Sequence, residues 1–329
     1  MKNRYTVEVP FQLVVPTLDI WQLVDHHVFG AWIQSNNVEA NQFANTNYNV
    51  FARRNKTVYL RFLNNHLIGG VPKSDVTFWK PIFHRSTLLN SDIQNTVDEF
   101  YKEHMKDTPR TCVVISGGWQ VWVKLWNLVV NNPAKYKWMI PVPGEWHWTW
   151  HIIKGIYRLY FKTILFPFAK HTGFRTLDEE ALNFHYAEDF LEMITIAIQK
   201  WIDLCLLDYA QRHNGPILIT NWLHSIRDNK SAYELAYTCI HYFIPYWETR
   251  AAIKANCAEN MDIWWRYWIH LFLATGKTNY SVMSIRFLWE LHAMHPTVRE
   301  LYNQYRIVSL SGDDNSGLAL DHLNELVIL

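Results

Sequence analysis

The sequence predicts a mixed fold, in which an α/β core of order βββαβαβ is interrupted by a large helical insertion and then resumed by a C-terminal helix. Strand-like and helix-like segments alternate through residues 1–144. Residues 145–305 show helical periodicity alone. A strand-like run, Arg306–Leu310, and an apolar helix, Leu318–Leu329, are predicted in residues 306–329. Residues 145–305 are numerous enough to form a hydrophobic core of their own. We therefore expect a separate helical block, inserted between the two parts of the α/β core.

Five alternating or β-branched segments predict the strands of the core. They are Phe11–Val15, Tyr48–Ala52, Val58–Phe62, Thr111–Ile115 and Tyr136–Val142. We expect one helix to begin at an N-cap, Ser91, and a second to span Trp119–Val130, so that helices separate the last three strands. This order of elements is that of a ribonuclease-H-like core.

The amino-acid composition excludes several classes of protein. The chain has 31 Lys and Arg residues against 30 Asp and Glu residues, which excludes a polybasic nucleic-acid tail and an acidic disordered chain. Its 17 Trp, 17 Tyr and 17 Phe residues require a deep core or a surface that stacks on a ligand. Four cysteines without a C-x-x-C motif argue against a zinc ribbon and a disulfide scaffold. Because no signal-like or membrane-spanning apolar run is found, we expect an intracellular protein without a membrane partner.

Four acidic residues are candidates for a two-metal site, which in nucleases and transposases of this architecture needs carboxylates from distant positions. Asp19 follows the first predicted strand, with Asp25 beyond it, and Asp321 and Glu325 share one face of the terminal helix. If the site is active, we expect Asp19 and Asp321 to bind Mg²⁺ or Mn²⁺, with Glu325 or Asp25 as the third carboxylate. The alternatives are a helix cap for Asp19 and a solvated surface for the terminal acids.

One carboxylate of such a site is missing. The fourth predicted strand should end in an acid, but the sequence there is Gly117-Gly118-Trp119-Gln120. A metal pair that lacks one carboxylate loses both its geometry and its charge balance. The residues therefore predict a degenerate site, and an inactive one would need no cofactor.

The string from Glu145 to His151 is the most distinctive in the chain. His147 and His151 lie one helical turn apart, a spacing that suits zinc, and Glu145 is close in sequence. The zinc-hydrolase motif, however, has Glu directly after its first His, where this chain has Trp148. A zinc hydrolase is therefore a remote alternative to a hydrogen-bonded core histidine, and the role of His322, on the terminal helix, is equally open.

A basic helix face is predicted shortly after that string. Lys154, Arg158 and Lys162 recur every four residues, with Tyr157 among the interleaved aromatic residues. Such a face can bind nucleic acid by phosphate contact and aromatic stacking. The alternative is a solvated basic face whose aromatic rings belong to the core.

Four strings, in this order, resemble a eukaryotic family of uncharacterised, transposon-associated proteins. They are Tyr136–His147, Thr275–Tyr280, Val308–Gly312 and Leu320–Asn324. The resemblance implies a ribonuclease-H-like transposase core that carries a helical insertion. It therefore implies a nuclear, DNA-binding protein derived from a transposase.

The same resemblance implies three acidic motifs, of which this chain keeps two in part. The family has Asp-Asn-x-Asp after strand one, Gly-Asp-Gln after strand four and Glu-His-x-Asn near the end. Here Asp19 keeps the last acid of the first motif, residues 117–120 lack the second acid, and Asp321-His322-Leu323-Asn324 follows the third. The resemblance thus implies DNA binding with a degenerate cleavage or strand-transfer site. A non-enzymatic module, in which the aromatic helical block binds a protein partner or a second copy, is the alternative.

Overall fold

Helices dominate the part of the chain that the structure describes. The computed structural model describes residues 89–172, 174, 177–213, 218–309 and 316–322. Of these residues 76% are helical, and all of them belong to one unit of the chain, Asn45–Leu329. Helix packing therefore builds most of the described core.

The prediction of a ribonuclease-H-like core is wrong. The fourth and fifth predicted strands form β1, Val113–Gly117, and β2, Met139–Pro143, which make a parallel sheet of two strands. The other described sheet pairs β3, Ile307–Val308, with β4, Leu318–Ala319, in antiparallel fashion. The first three predicted strands lie outside the described residues. A β-branched run indicates that a segment fits an extended conformation, but it does not determine how many other strands pair with it.

Three helices accompany the parallel sheet. They are α1, Asn90–His104, α2, Trp119–Asn131, and the short α3, Pro133–Tyr136. Their apolar faces and the strands share one cluster of buried side chains, formed by Ile93, Val97, Met105, Leu125, Tyr136, Trp138 and Met139. The predicted second helix is thus observed, whereas Tyr136, expected to start a strand, ends α3.

The helical block follows β2. Its helices are α4, Glu145–Tyr160, α5, Phe166–Thr172, α6, Phe184–His213, α7, Ile219–Ser225, α8, Lys230–Thr238, α9, Ile244–Lys254, α10, Ala258–Tyr267, α11, Ile269–Ala274, α12, Thr278–Ala293, and α13, Pro296–Tyr305. Two π-helical turns, Phe161–Leu165 and Cys239–Phe243, each end two residues before a proline. Because proline lacks an N–H and crowds the preceding turn, a locally widened helix accommodates it. Among the described helices, none is long and apolar enough to cross a membrane.

Helix α4 lies at the centre of this block. Ile152, Ile153 and Ile156 are fully buried, and Trp148 stacks on Trp265 of α10 with 4.1 Å between ring centroids. At Gly155 a β-carbon would lie 3.0 Å from the side chain of Leu271, so glycine permits α4 and α11 to approach closely. One face of α4 is thereby fixed in the core, and the opposite face reaches the surface.

Candidate functional site

The amino termini of α2 and α4 meet at the edge where β1 and β2 end. The Gly144 N–H donates to the Gly117 carbonyl across 2.7 Å, which holds the two strand ends together. Helix α2 begins at Trp119 and α4 at Glu145, directly beyond this edge. Helix amino termini present unpaired N–H groups and a partial positive charge, and ligands of parallel sheets bind at the carboxyl ends of the strands. This edge is therefore one end of the candidate site.

Asp321 occupies the amino terminus of α4. Its Oδ1 accepts the Trp146 backbone N–H at 3.0 Å, and its Oδ2 accepts the His147 backbone N–H at 3.0 Å and the His147 ring Nδ1–H at 2.9 Å. A β-carbon on Gly144 would overlap this carboxylate, so glycine is required there. The carboxylate satisfies two N–H groups that a helix start leaves unpaired. Asp321 is thus a structural cap in this geometry, rather than a solvated surface acid.

A buried ion-pair network holds the first residue of α4. The guanidinium of Arg306 donates from Nε to Glu145 at 2.8 Å, donates to the same carboxylate from Nη2, and donates from Nη1 to Asp262 at 3.1 Å. Arg299 donates to the other oxygen of Asp262 at 3.2 Å. Burial raises the pKa of the Glu145 carboxyl, while Arg306 lowers it. Glu145 therefore serves as an anchor between α4 and the residues that follow α13.

His147 lies between the cap and the start of α2. Asp321 accepts the Nδ1 proton of His147. The other ring nitrogen, Nε2, faces Gly118: a β-carbon placed on Gly118 would lie 3.4 Å from Nε2. The side chain of His147 is 30% exposed. A carboxylate that holds one imidazole nitrogen fixes the tautomer and the orientation of the ring. His147 is thus an imidazole of fixed orientation that is partly exposed at the protein surface.

His151 and His322 occupy different surroundings. Lys277 donates to Nδ1 of His151 at 3.4 Å, and the ring stacks on Tyr280 at 3.7 Å. Burial, followed by the charge of Lys277, lowers the pKa of His151 to about 3. His322 stacks on Trp146 at 5.5 Å, and burial, followed by the charge of Arg250, lowers its pKa to about 4. Both imidazoles are therefore neutral at physiological pH.

The contacts of His147, His151 and Asp321 bear on the two metal sites that the sequence suggests, the two-metal carboxylate site and the zinc site. Within the described residues, no group of three or more His, Cys, Asp or Glu side chains is placed to hold a metal ion. The Lys277 ammonium also puts a positive charge against His151, which disfavours the zinc alternative. Asp19, Asp25 and Glu325 lie outside the described residues, so a metal site shared between Asp19 and Asp321 stays a prediction.

Lys154 and Arg158 on α4, Lys162 in the π-helical turn that follows it and Lys277 form, with the neutral His151, a set that we call the basic stripe. Burial lowers the pKa of Lys277, and the charges of Lys154 and Arg158 lower it further. Within the described residues, no ion pair joins Lys154, Arg158 or Lys277 to an acid. The stripe is therefore a cluster of like charges without a paired carboxylate.

Two acids lie near one end of the stripe. Burial lowers the pKa of Lys154, and the charges of Glu180 and Asp178 offset only part of that lowering. The Asp178 carboxylate also accepts the backbone N–H groups of Glu180 and Leu182 at 3.0 and 2.8 Å. The Asp178 carboxylate is therefore held by its own turn, and in the described residues neither acid forms an ion pair with Lys154.

The aromatic rings beside the stripe belong to the core. Tyr157 is fully buried and its hydroxyl donates to the Ala187 carbonyl at 3.0 Å, so it cannot stack on a ligand in this structure. The Trp150 indole N–H donates to the Ala181 carbonyl at 2.9 Å, and the Lys154 ammonium lies 4.1 Å from its ring centroid. The predicted stacking by Tyr157 is therefore excluded, because α6 covers that side of α4.

Lys277 is the site residue that the helical spacing did not reveal. It follows Gly276, whose positive φ of 68° lets the chain turn sharply between α11 and α12. The Gly-Lys pair after a helix was a visible turn signal. Its proximity to α4, however, results from the packing of α11 on α4, which is a long-range contact.

Comparison with known proteins identifies one similarity. Residues 220–329 match DUF6589, a family of unknown function. No curated protein and no solved structure matches the chain. The matched segment covers about a third of the chain and includes Asp262, Arg306 and Asp321. The residues that anchor α4 thus lie inside the matched segment, whereas α4 itself lies outside it.

Proposed function

We propose that the basic stripe binds the phosphate backbone of nucleic acid. The observation that carries this proposal is the 3.4 Å contact of the Lys277 ammonium with His151, one turn before Lys154 on α4, which brings Lys277 to the side of the helix that carries Lys154 and Arg158. In the described residues these three cations form no ion pair with an acid. Like charges held together destabilise a folded protein, and a polyanion that binds there removes the repulsion and releases counterions. The near-neutral chain thus concentrates its attraction for nucleic acid in one place.

The dimensions of the stripe suit a nucleic-acid strand. From His151 to Arg158, within α4, the helix advances by roughly 10 Å, at about 1.5 Å per residue. That length corresponds to about three phosphates along one strand of a duplex, at about 3.4 Å per nucleotide. Lys277 widens the stripe beside His151, so that contacts are not confined to a single line.

Phosphate contact, rather than base recognition, follows from the burial of the rings. Tyr157 is inaccessible, and Tyr280 is covered by His151. Phosphate contacts position a protein on nucleic acid but carry no sequence information. We therefore expect binding that depends strongly on salt and only weakly on sequence.

The test uses a triple variant, Lys154→Gln, Arg158→Gln and Lys277→Gln, in the full chain. A matched control removes three exposed charges elsewhere, by Lys102→Gln, Lys106→Gln and Arg110→Gln. Fluorescence anisotropy of a labelled duplex is measured across a salt series. If the three cations each neutralise one phosphate, the slope of log affinity against log salt should fall in magnitude by nearly three in the triple variant. Equal slopes for the parent and the triple variant, or an equal loss in the control, would disprove the proposal.

The wider predictions from the resemblance are separate from this test. A transposon-associated origin, a nuclear location and metal-dependent cleavage stay predictions. A nuclease assay with Mg²⁺ and with Mn²⁺ addresses the last of them, with Asp19→Ala as its control. Loss of cleavage in that variant would support a metal site, and binding through the basic stripe would be unaffected.

A further inference from the structure

Lys277 is held in place by the turn between α11 and α12. Its backbone N–H donates to the Phe272 carbonyl at 2.8 Å and closes the end of α11, while its carbonyl accepts the Tyr280 N–H at 2.9 Å at the start of α12. The positive φ of Gly276, 68°, permits this tight turn. The backbone of Lys277 is therefore hydrogen-bonded on both sides, and its half-buried side chain reaches α4, where the ammonium meets His151.

The groups that act on the Lys277 amine include no paired acid in the described part of the chain. Nζ lies 3.4 Å from Nδ1 of His151, and that imidazole is neutral because burial lowers its pKa to about 3. Tyr280 stacks on His151, and burial raises the pKa of its phenol, so the phenol is uncharged as well. Lys154 and Arg158 on α4 are the charged groups that act on the amine, and no described acid forms an ion pair with it.

Lys154 offers a comparison within the same stripe. Burial lowers the pKa of its amine, but the charges of Glu180 and Asp178 offset part of that lowering. Its ammonium also lies 4.1 Å from the centroid of the Trp150 ring, a contact that favours the charged form. At Lys277, burial and the neighbouring charges both lower the pKa. Partial burial beside other cations is a setting that makes a lysine nucleophilic, because it favours the uncharged amine.

We propose that Lys277 is a nucleophilic amine that forms an imine with an aldehyde on a phosphate-bearing ligand. The ammonium first gives a proton to water, and the free amine then attacks the carbonyl carbon, so that a C–N bond forms. The carbonyl oxygen leaves as water with the two hydrogens of the amine, and no oxidant or reductant takes part. Lys154 and Arg158 bind the phosphate and hold the aldehyde beside the amine.

Two classes of ligand present such an aldehyde. One is an abasic site in a nucleic-acid strand, where the open-chain sugar carries an aldehyde between two phosphates. The other is a small phosphorylated aldehyde. The first rests on the proposed binding of nucleic acid, whereas the second requires only the cations beside Lys277. Each source therefore needs its own probe.

Pyridoxal 5′-phosphate probes the small phosphorylated aldehyde in the full chain. Borohydride reduces an imine to a stable amine, and peptide mapping by mass spectrometry measures the rate of labelling at each lysine. At about pH 7, Lys277 should be labelled about tenfold faster than the exposed Lys102 and Lys106. Added inorganic phosphate should slow the labelling of Lys277 more than that of Lys102. Equal rates at the three lysines, or equal slowing by phosphate, would overturn the proposal.

The pH profile of the same labelling separates a nucleophilic amine from a merely accessible one. The rate rises with pH as the ammonium loses its proton. Because burial and the charges of Lys154 and Arg158 lower the pKa of Lys277, its rate should level off at a lower pH than that of Lys102. Profiles that coincide would contradict the assigned role.

A labelled strand with one abasic site probes the nucleic-acid source. Lys277→Arg keeps the positive charge but removes the amine, so it should bind the strand in fluorescence anisotropy as the parent does and form no cross-link with borohydride. Lys154→Arg is the matched control and should cross-link as the parent does. Cross-linking that persists fully in Lys277→Arg would show that another amine reacts.

Binding and imine formation are measured separately, so each can fail alone. A chain that binds the strand but forms an imine at Lys277 with neither probe would overturn this proposal and leave the binding of nucleic acid intact. A chain that binds no strand, yet is labelled rapidly at Lys277 by pyridoxal 5′-phosphate, would disprove the proposed function and assign the small phosphorylated aldehyde as the ligand.

Discussion

At the scale of single residues, Asp321 shows how one acid admits two interpretations. Sequence spacing placed it among candidate metal ligands, whereas the structure gives its two oxygens to the N–H groups of Trp146 and His147 and to the ring of His147. A helix cap and a metal ligand can use the same residue type, because in both roles an aspartate carboxylate accepts from or binds a positively charged group. The sequence could not distinguish them, since the groups that Asp321 contacts lie more than 170 positions earlier in the chain.

Replacing this cap should destabilise the fold. Asp321→Asn keeps the size of the side chain but removes its charge, and one oxygen becomes an amide that cannot accept an N–H. We expect a loss of about 1–3 kcal/mol in the free energy of unfolding, because buried charge-assisted hydrogen bonds are removed. Urea denaturation measures it. Asp208→Asn, in an exposed pair with Arg212, is the control and should change stability by less than about 0.5 kcal/mol. Equal effects in the two variants would contradict the assigned role of Asp321.

Asp203 should make the stability of the protein depend on pH. Its carboxylate oxygens are buried without a hydrogen-bond partner in the described part of the chain, and burial raises its pKa to about 7. In the unfolded chain the pKa is about 3.9. Between these values the folded protein holds a proton that the unfolded chain has lost, so stability falls as pH rises from about 4 to about 7 and is level above that range.

The substitution Asp203→Asn removes this dependence. The variant should be more stable than the parent above about pH 7, by at most about 4 kcal/mol, and the difference should shrink as pH approaches 4. Urea denaturation of both proteins at several pH values measures the difference. A difference that stays constant with pH would show that Asp203 is not the titrating group.

At the scale of secondary-structure elements, local patterns predicted the elements well and their pairing poorly. The β-branched run at residues 113–115 lies in β1, and the apolar helix expected over Trp119–Val130 is α2 with one residue added. Both depend on signals inside the segment. By contrast, Leu318–Ala319 were expected to be helical and instead pair with Ile307–Val308 as strands. That outcome depends on a neighbour that the local sequence does not specify.

The basic stripe shows the same division within one helix. Spacing by four correctly placed Lys154 and Arg158 on one side of α4, because helical periodicity is a local property. The spacing did not show that Tyr157 lies on the side covered by α6. It also could not include Lys277, which lies in the turn before α12. Helical geometry determines which residues share a face, but only the packing determines which face stays in water.

At the scale of the whole molecule, the segment that resembles DUF6589 positions a helix outside the match. Arg306 and Asp321, within residues 220–329, hold Glu145 and the first turn of α4. The α4 surface therefore depends on residues far along the chain. With a net charge of +1, the rest of the molecule adds little general attraction for a polyanion.

The proposed function therefore predicts a coupling between nucleic acid and global stability. A ligand that binds only the folded state stabilises it by about 2.7 kcal/mol at a concentration one hundred times its Kd. Duplex added to the parent at low salt should raise the Tm measured by differential scanning fluorimetry, and the shift should vanish at high salt. In the triple variant the same duplex should produce little shift.

The Tm without duplex separates a binding role from a structural one. Because the stripe gathers repelling charges, the triple variant alone should be at least as stable as the parent at low salt. The control variant, with Lys102, Lys106 and Arg110 replaced, should respond to duplex as the parent does. A triple variant that is markedly less stable than the parent, and whose Tm still rises fully with duplex, would show that these cations support the fold and that nucleic acid binds elsewhere.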